Sequence, residues 1–145
     1  MQTLFTKIED LFPPDLVTRE LGAQAYSSLR QAITDTRPED VLALDFANIR
    51  VMDSSFAGGS VLKLLRELVD GRFGEKYMVL TGSSESTEYN IDATINGHGL
   101  KLGLQVIDET GHRLLGQIEP NLIRTLALVN DRKTMTAREL ADLET

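Results

Sequence analysis

The residues best equipped for chemistry stand at Asp53-Ser54-Ser55-Phe56, just after an apolar run and at the opening of an amphipathic one. Asp and Ser at a helix start accept hydrogen bonds from backbone amides that have no partner inside the helix. The helix dipole adds a favourable potential for negative charge at that end. A phosphoserine carries close to two negative charges and would meet amide donors there. Ser55 and Ser54 are therefore the phosphorylation candidates, and Asp53, Ser54, Ser55 and Phe56 form the candidate partner-binding surface. Plain helix capping explains the same residue types without any ligand. A second group, Gly82-Ser83-Ser84, follows another apolar run and is a candidate anion-binding loop. Its stretch has one glycine and no lysine, so it is not a P-loop. Ser54, His98 and Asp108 supply the residue types of a hydrolytic triad, but no G-x-S-x-G elbow accompanies them. His98 lies between two glycines and His112 in an expected hairpin turn, where exposed turn histidines are the ordinary reading.

Composition narrows the chemistry further. The chain has 145 residues, a formal charge of −7, two histidines and no cysteine or tryptophan. That length fits one domain able to bury roughly two-thirds of its unfolded surface, without a disulfide or metal staple. Zero cysteine removes thiolate nucleophiles, thiolate metal sites and disulfides. Two isolated histidines argue against a metal centre, and no cofactor is expected. With 22 acidic against 15 basic residues, the balance counts against nucleic acid, whose phosphates call for a basic face. The densest basic cluster is Arg132-Lys133 with Arg138. No apolar run approaches the ~20 residues of a membrane span. The opening MQTLFTKIEDLF lacks the pattern of a signal peptide, so the expected location is cytoplasmic.

These residues need elements to position them. Residues 2–8 suit a strand, although Leu4, Phe5 and Ile8 also fit a helix, and Pro13-Pro14 then interrupts. A helix is predicted over 18–35, with Thr18 as N-cap and Leu21, Ala25, Leu29, Ala32 and Ile33 on one face. Arg37-Pro38 ends it. Residues 41–46 form a short, almost continuous apolar run, as in a strand covered on both faces. A single helix is predicted over 55–69, stopped by Asp70-Gly71. Residues 76–80 read as a strand, 86–95 as a short helix, and Asn96-Gly97-His98-Gly99 as a turn. A hairpin follows, with strands at 104–107 and 113–118 around a turn at 108–112. Pro120 suits the first position of a helix over 121–130. A last helix starts at Thr136 in a Thr-Ala-Arg-Glu capping box. The order β-α-β-α-β-α-β-β-α-α predicts an α/β fold, a mixed, partly parallel sheet with helices packed against it.

Met52-Asp53-Ser54-Ser55, after an apolar strand and before Val61-Leu62-Lys63-Leu64-Leu65, resembles the STAS domain. That domain is shared by bacterial anti-sigma factor antagonists and by the cytoplasmic tails of sulfate transporters. In the antagonists a partner kinase phosphorylates the second serine of Asp-Ser-Ser, which is Ser55 here. Their motif continues Gly-Leu-Gly, where this chain has Phe56-Ala57-Gly58. Asp45-Phe46 and Ser54-Ser55-Phe56-Ala57, preceded by Thr18-Arg19, are more similar to the STAS-like family of uncharacterised function. The similarity covers about residues 2–95. It implies a STAS-like layered domain over 1–119, with a C-terminal helical extension over 120–145. It further implies a non-enzymatic regulatory interaction module whose protein partner is a kinase or an anti-sigma-type regulator. Three other functions fit parts of the sequence: a nucleotide- or anion-binding sensor, a small hydrolase, and a remnant of a helix-turn-helix regulator. The last rests on Thr136-Ala137-Arg138-Glu139-Leu140-Ala141, and a working motif requires a recognition helix beyond it. That final helix is expected to pack on the sheet or on a partner.

Overall fold

The computed structural model describes residues 2–97, 103–109 and 111–116. Five strands make the main sheet: β1 (Thr3–Lys7), β3 (Val41–Asp45), β5 (Tyr77–Thr81), β6 (Gly103–Asp108) and β7 (Gly111–Gly116), in that spatial order. The first four run parallel, and β7 closes an antiparallel hairpin on β6. Two further strands, β2 (Asp15–Leu16) and β4 (Val51–Met52), pair in parallel beside it. The helices are α1 (Arg19–Asp35), α2 (Ser54–Gly59), α3 (Val61–Val69) and α4 (Glu85–Gly97). The fold is thus mixed α/β with a mostly parallel sheet. No described helix is long and apolar enough to cross a membrane.

The sheet explains the apolar run of β3. Val41, Leu42, Ala43 and Leu44 are all buried, as a central parallel strand requires. Successive side chains alternate between faces. Leu42 and Leu44 join Leu80, Val106 and the apolar stripes of α1, α3 and α4 in the main core, whereas Val41 and Ala43 point the other way with Val79. Each parallel crossover steps one strand in the same direction. With the usual right-handed connection, that places the helices on one face.

Several elements depart from the sequence reading. The helix expected over 55–69 is two helices, broken at Ser60, whose backbone leaves the helical region (φ −128°, ψ −88°). Gly58 and Gly59 weaken the turn before the break. The buried Ser60 hydroxyl donates to the Phe56 carbonyl at 2.6 Å and stabilises the bend. The helix expected over 86–95 runs on through Gly97, so Asn96 and Gly97 are helical rather than turn residues. The hairpin is tighter than expected, since Asp108 already pairs with Gly111 and His112 lies within β7. β2 and β4 carry no expectation from the sequence, because two residues are too few to show a period. The helices expected over 121–130 and from Thr136, the basic cluster at Arg132-Lys133 and Arg138, and the boundary at 119/120 lie outside the described residues.

Candidate functional site

The short β2–β4 ladder brings the starts of α1 and α2 together. The Asp53 amide donates to the Leu16 carbonyl at 3.0 Å. From there the Asp53 carboxylate serves both helices. Its Oδ1 accepts from the Phe56 amide at 2.8 Å, which caps α2. Its Oδ2 accepts from the Thr18 amide at 3.3 Å. Thr18 in turn caps α1 by accepting from the Leu21 amide at 3.2 Å. Thr18 has φ +82°, a conformation rare for a β-branched residue. Such strain costs of order 1–3 kcal/mol and persists only where the surroundings hold it. Here the holding groups are the Asp53 carboxylate on one side and the first turn of α1 on the other.

One turn further along, α1 and α2 touch through backbone. A Cβ on Gly22 would lie 3.1 Å from the Phe56 carbonyl oxygen and 3.2 Å from its Cα. Phe56 itself is 1% exposed and belongs to the core. This corrects its place in the expected partner-binding surface: in a helix opening at Ser54, the third residue turns toward α1, and only its amide takes part at the corner. Ser54 and Ser55 remain exposed. Their hydroxyls make no hydrogen bond within the described residues. Arg19, also exposed, follows Thr18 at the same corner.

The second candidate loop has a different character. Gly82 adopts φ +67°, and a Cβ there would lie 2.6 Å from Asp45 Oδ1, so only glycine fits. Ser84 caps α4 by accepting from the Thr87 amide at 3.1 Å. Ser83 donates to Glu88 Oε2 at 3.2 Å. The loop borders an open cleft of about 580 Å³ whose walls include Glu85, Glu88, Asp92 and Asp108, with Arg113 as the single basic residue among the described ones. Arg113 is committed to the carboxylates, reaching Glu88 Oε1 at 2.7 Å and Asp108 Oδ2 at 2.6 Å. Bonds first from Glu88 and then from Asp108 hold its guanidinium charged even more firmly than usual. The net negative wall repels phosphate, and the loop hydroxyls already serve α4. Gly82, Ser83 and Ser84 thus form a structural turn, and the geometry gives no support to an anion-binding sensor there.

The hydrolytic combination gains nothing either. Ser54 lies at the start of α2, Asp108 is bound by Arg113, and His98 falls outside the described residues. Among the described residues no group of His, Asp and Glu could hold a metal ion. The bridging role of Asp53 and the Arg113 network went unread in the sequence. The cap was visible in the residue types, but both long-range partners depend on strand pairing. A scan against protein-family models gave no match, and neither the curated proteins nor the solved structures yielded one.

Proposed function

We propose that this chain is a non-enzymatic, cytoplasmic STAS-like regulatory module. It engages a protein partner at the corner where α1 and α2 begin, and Ser55 is the residue a partner kinase phosphorylates. One observation carries the reading. The two motifs behind the resemblance, Thr18-Arg19 and Asp53-Ser54-Ser55-Phe56-Ala57, are 35 residues apart in sequence yet meet at the bond from the Thr18 amide to Asp53. That junction holds a strained threonine and presents two free hydroxyls. A phosphate on Ser55 would stand beside the Asp53 carboxylate and near a helix start. Repulsion from Asp53 would loosen the link to Thr18, while the dipole would favour the added charge. Partner affinity would then follow the charge of the corner.

The test is phosphopeptide mapping of the natively expressed chain together with pull-downs using wild type, Ser55→Ala and Ser55→Asp. The expected result is phosphate on Ser55 and a partner retained by one variant but lost by the other. Absence of phosphate on Ser55, with identical partners for all three proteins, would overturn the proposal.

A further inference from the structure

We propose that β1 is a docking edge for a second copy of this chain, which pairs its own β1 antiparallel to it about Phe5. This inference does not depend on the reading of the α1–α2 corner. β1 is one edge of the main sheet. The Val41 amide donates to the Gln2 carbonyl at 2.9 Å, and the register from Thr3 with Val41 to Lys7 with Asp45 runs without a bulge. In such a parallel ladder, alternate residues of an edge strand bond inward. Leu4 and Thr6 therefore turn their backbone groups toward β3, and Thr3, Phe5 and Lys7 turn theirs outward. Among the described residues no strand pairs with that outer side. Proteins blunt such edges with proline, bulges or charge. β1 has no proline, and its one charge is Lys7 at its end. Leu4 and Phe5 stand on opposite faces of the strand and are 37% and 44% exposed.

The pattern of this edge selects a second copy as its occupant. The outward groups fall at Thr3, Phe5 and Lys7, evenly spaced about Phe5. A second β1 turned antiparallel about that residue meets them group for group. Phe5 faces its own counterpart across the twofold axis, and Thr3 faces the partner's Lys7 on either side. All three are hydrogen-bonded pairs, and together they exchange about six bonds. The surface is thus self-complementary, as a twofold interface requires. The two Phe5 rings form a cross-strand aromatic pair on one face, and Leu4 meets the partner's Thr6 on the other. Charge also permits this pairing. The chain carries −7, so most surfaces of two copies repel, but Thr3–Lys7 contains no acid and each Lys7 has a threonine opposite. Five residues a side bury less than the ~1,200 Å² of a standard interface, so the dimer is weak and forms at high protein concentration.

The test is sedimentation equilibrium of the full chain up to about 1 mM, the range of weak association. A dimer mass that grows with concentration is expected. Phe5→Lys sets two ammonium groups opposite each other on the axis and should raise the dissociation constant about tenfold or more. Phe5→Glu should do the same alone, whereas an equal mixture of the two variants should dimerise again, as opposite charges now meet. The chain has no cysteine, so single introduced thiols read the register. Two Phe5→Cys thiols would hang from Cα atoms about 5.5 Å apart, within disulfide reach, and should cross-link the dimer under mild oxidation. Two Lys7→Cys thiols, also exposed, would lie about 14 Å apart along the strands and should not. The cross-link needs no charge at the edge, so it decides the matter should Phe5→Lys fail to fold. A monomer at every concentration would overturn the proposal. So would a dimer indifferent to Phe5→Lys, which would place the contact on another surface, or cross-linking through Lys7→Cys rather than Phe5→Cys.

Discussion

The bridging role of Asp53 sets a graded stability test. Asp53→Ala removes the cap of α2 and the acceptor for the Thr18 amide together. Loss of an N-cap costs about 1 kcal/mol. The longer bond from Thr18 contributes about 0.5–1 kcal/mol more, and its loss also frees a strained residue. The expected loss is about 2 kcal/mol, or about 7 °C in Tm for a domain of this size. Asp53→Asn keeps one carbonyl oxygen for the Phe56 amide and ranks with Asp as a cap, so it should lose only about 1 kcal/mol. Ser54→Ala and Ser55→Ala remove exposed hydroxyls without partners and should stay within about 0.5 kcal/mol of wild type. Urea titrations followed by far-UV circular dichroism resolve this ranking. If Asp53→Ala is no worse than Ser54→Ala, or Asp53→Asn is as damaging as Asp53→Ala, the double cap does not hold the corner. Asp53 would then be free for direct contact with a partner.

Three further outcomes follow from the packing. Gly22→Ala should destabilise by about 1 kcal/mol, because crowding against the Phe56 backbone outweighs a helix-propensity gain of about 1 kcal/mol. Gly58→Ala, whose Cβ would meet only Thr94 Cγ2 at 4.0 Å, should instead stabilise, and urea unfolding of the two variants gives the comparison. Arg113→Met should lose about 2 kcal/mol at neutral pH, since it strips the guanidinium bonds from the buried Glu88 while Arg113 itself is partly exposed. Adding Glu88→Gln should recover part of that loss in the same assay. The Tyr26 hydroxyl donates to Glu67, and burial followed by Glu67 raises the Tyr26 pKa above 10.0. A raised folded pKa favours the neutral phenol. This contribution is complete below the unfolded pKa of about 10 and is lost as pH rises through the folded value. Tyr26→Phe should therefore flatten the alkaline limb of the stability profile, and ultraviolet titration should show one late-ionising tyrosine disappear.

The elements legible in the sequence are those whose signals are local. The apolar run of β3 reads as a central strand because burial on both faces leaves no place for polar alternation. Thr18 reads as a cap, and α1 ends at Asp35, because capping and the Arg37-Pro38 stop act within one or two turns. The break at Ser60 is not legible. The apolar stripe continues across it, and the bend rests on a buried hydroxyl and on the close approach of Gly22 to Phe56. Phe56 misleads in the same way. Its neighbours mark a helix start, but its burial depends on which way α2 faces α1, and that is settled in three dimensions.

The sequence by itself determined the α/β order, the caps, the exclusion of cysteine chemistry and the exposed pair Ser54 and Ser55. Tertiary structure decided that Asp53 ties two helices, that Gly82-Ser83-Ser84 faces carboxylates, and that Val41, Ala43 and Val79 are buried apart from the main core. The physical reason is range. Caps, turns and periodic burial act over a few residues and are written in neighbouring side chains. Helix docking and the pairing of β2 with β4 join residues far apart in sequence, 35 positions for Thr18 and Asp53 and 38 for Met52 and Asn90, and only the folded chain brings their charges and hydrogen bonds together.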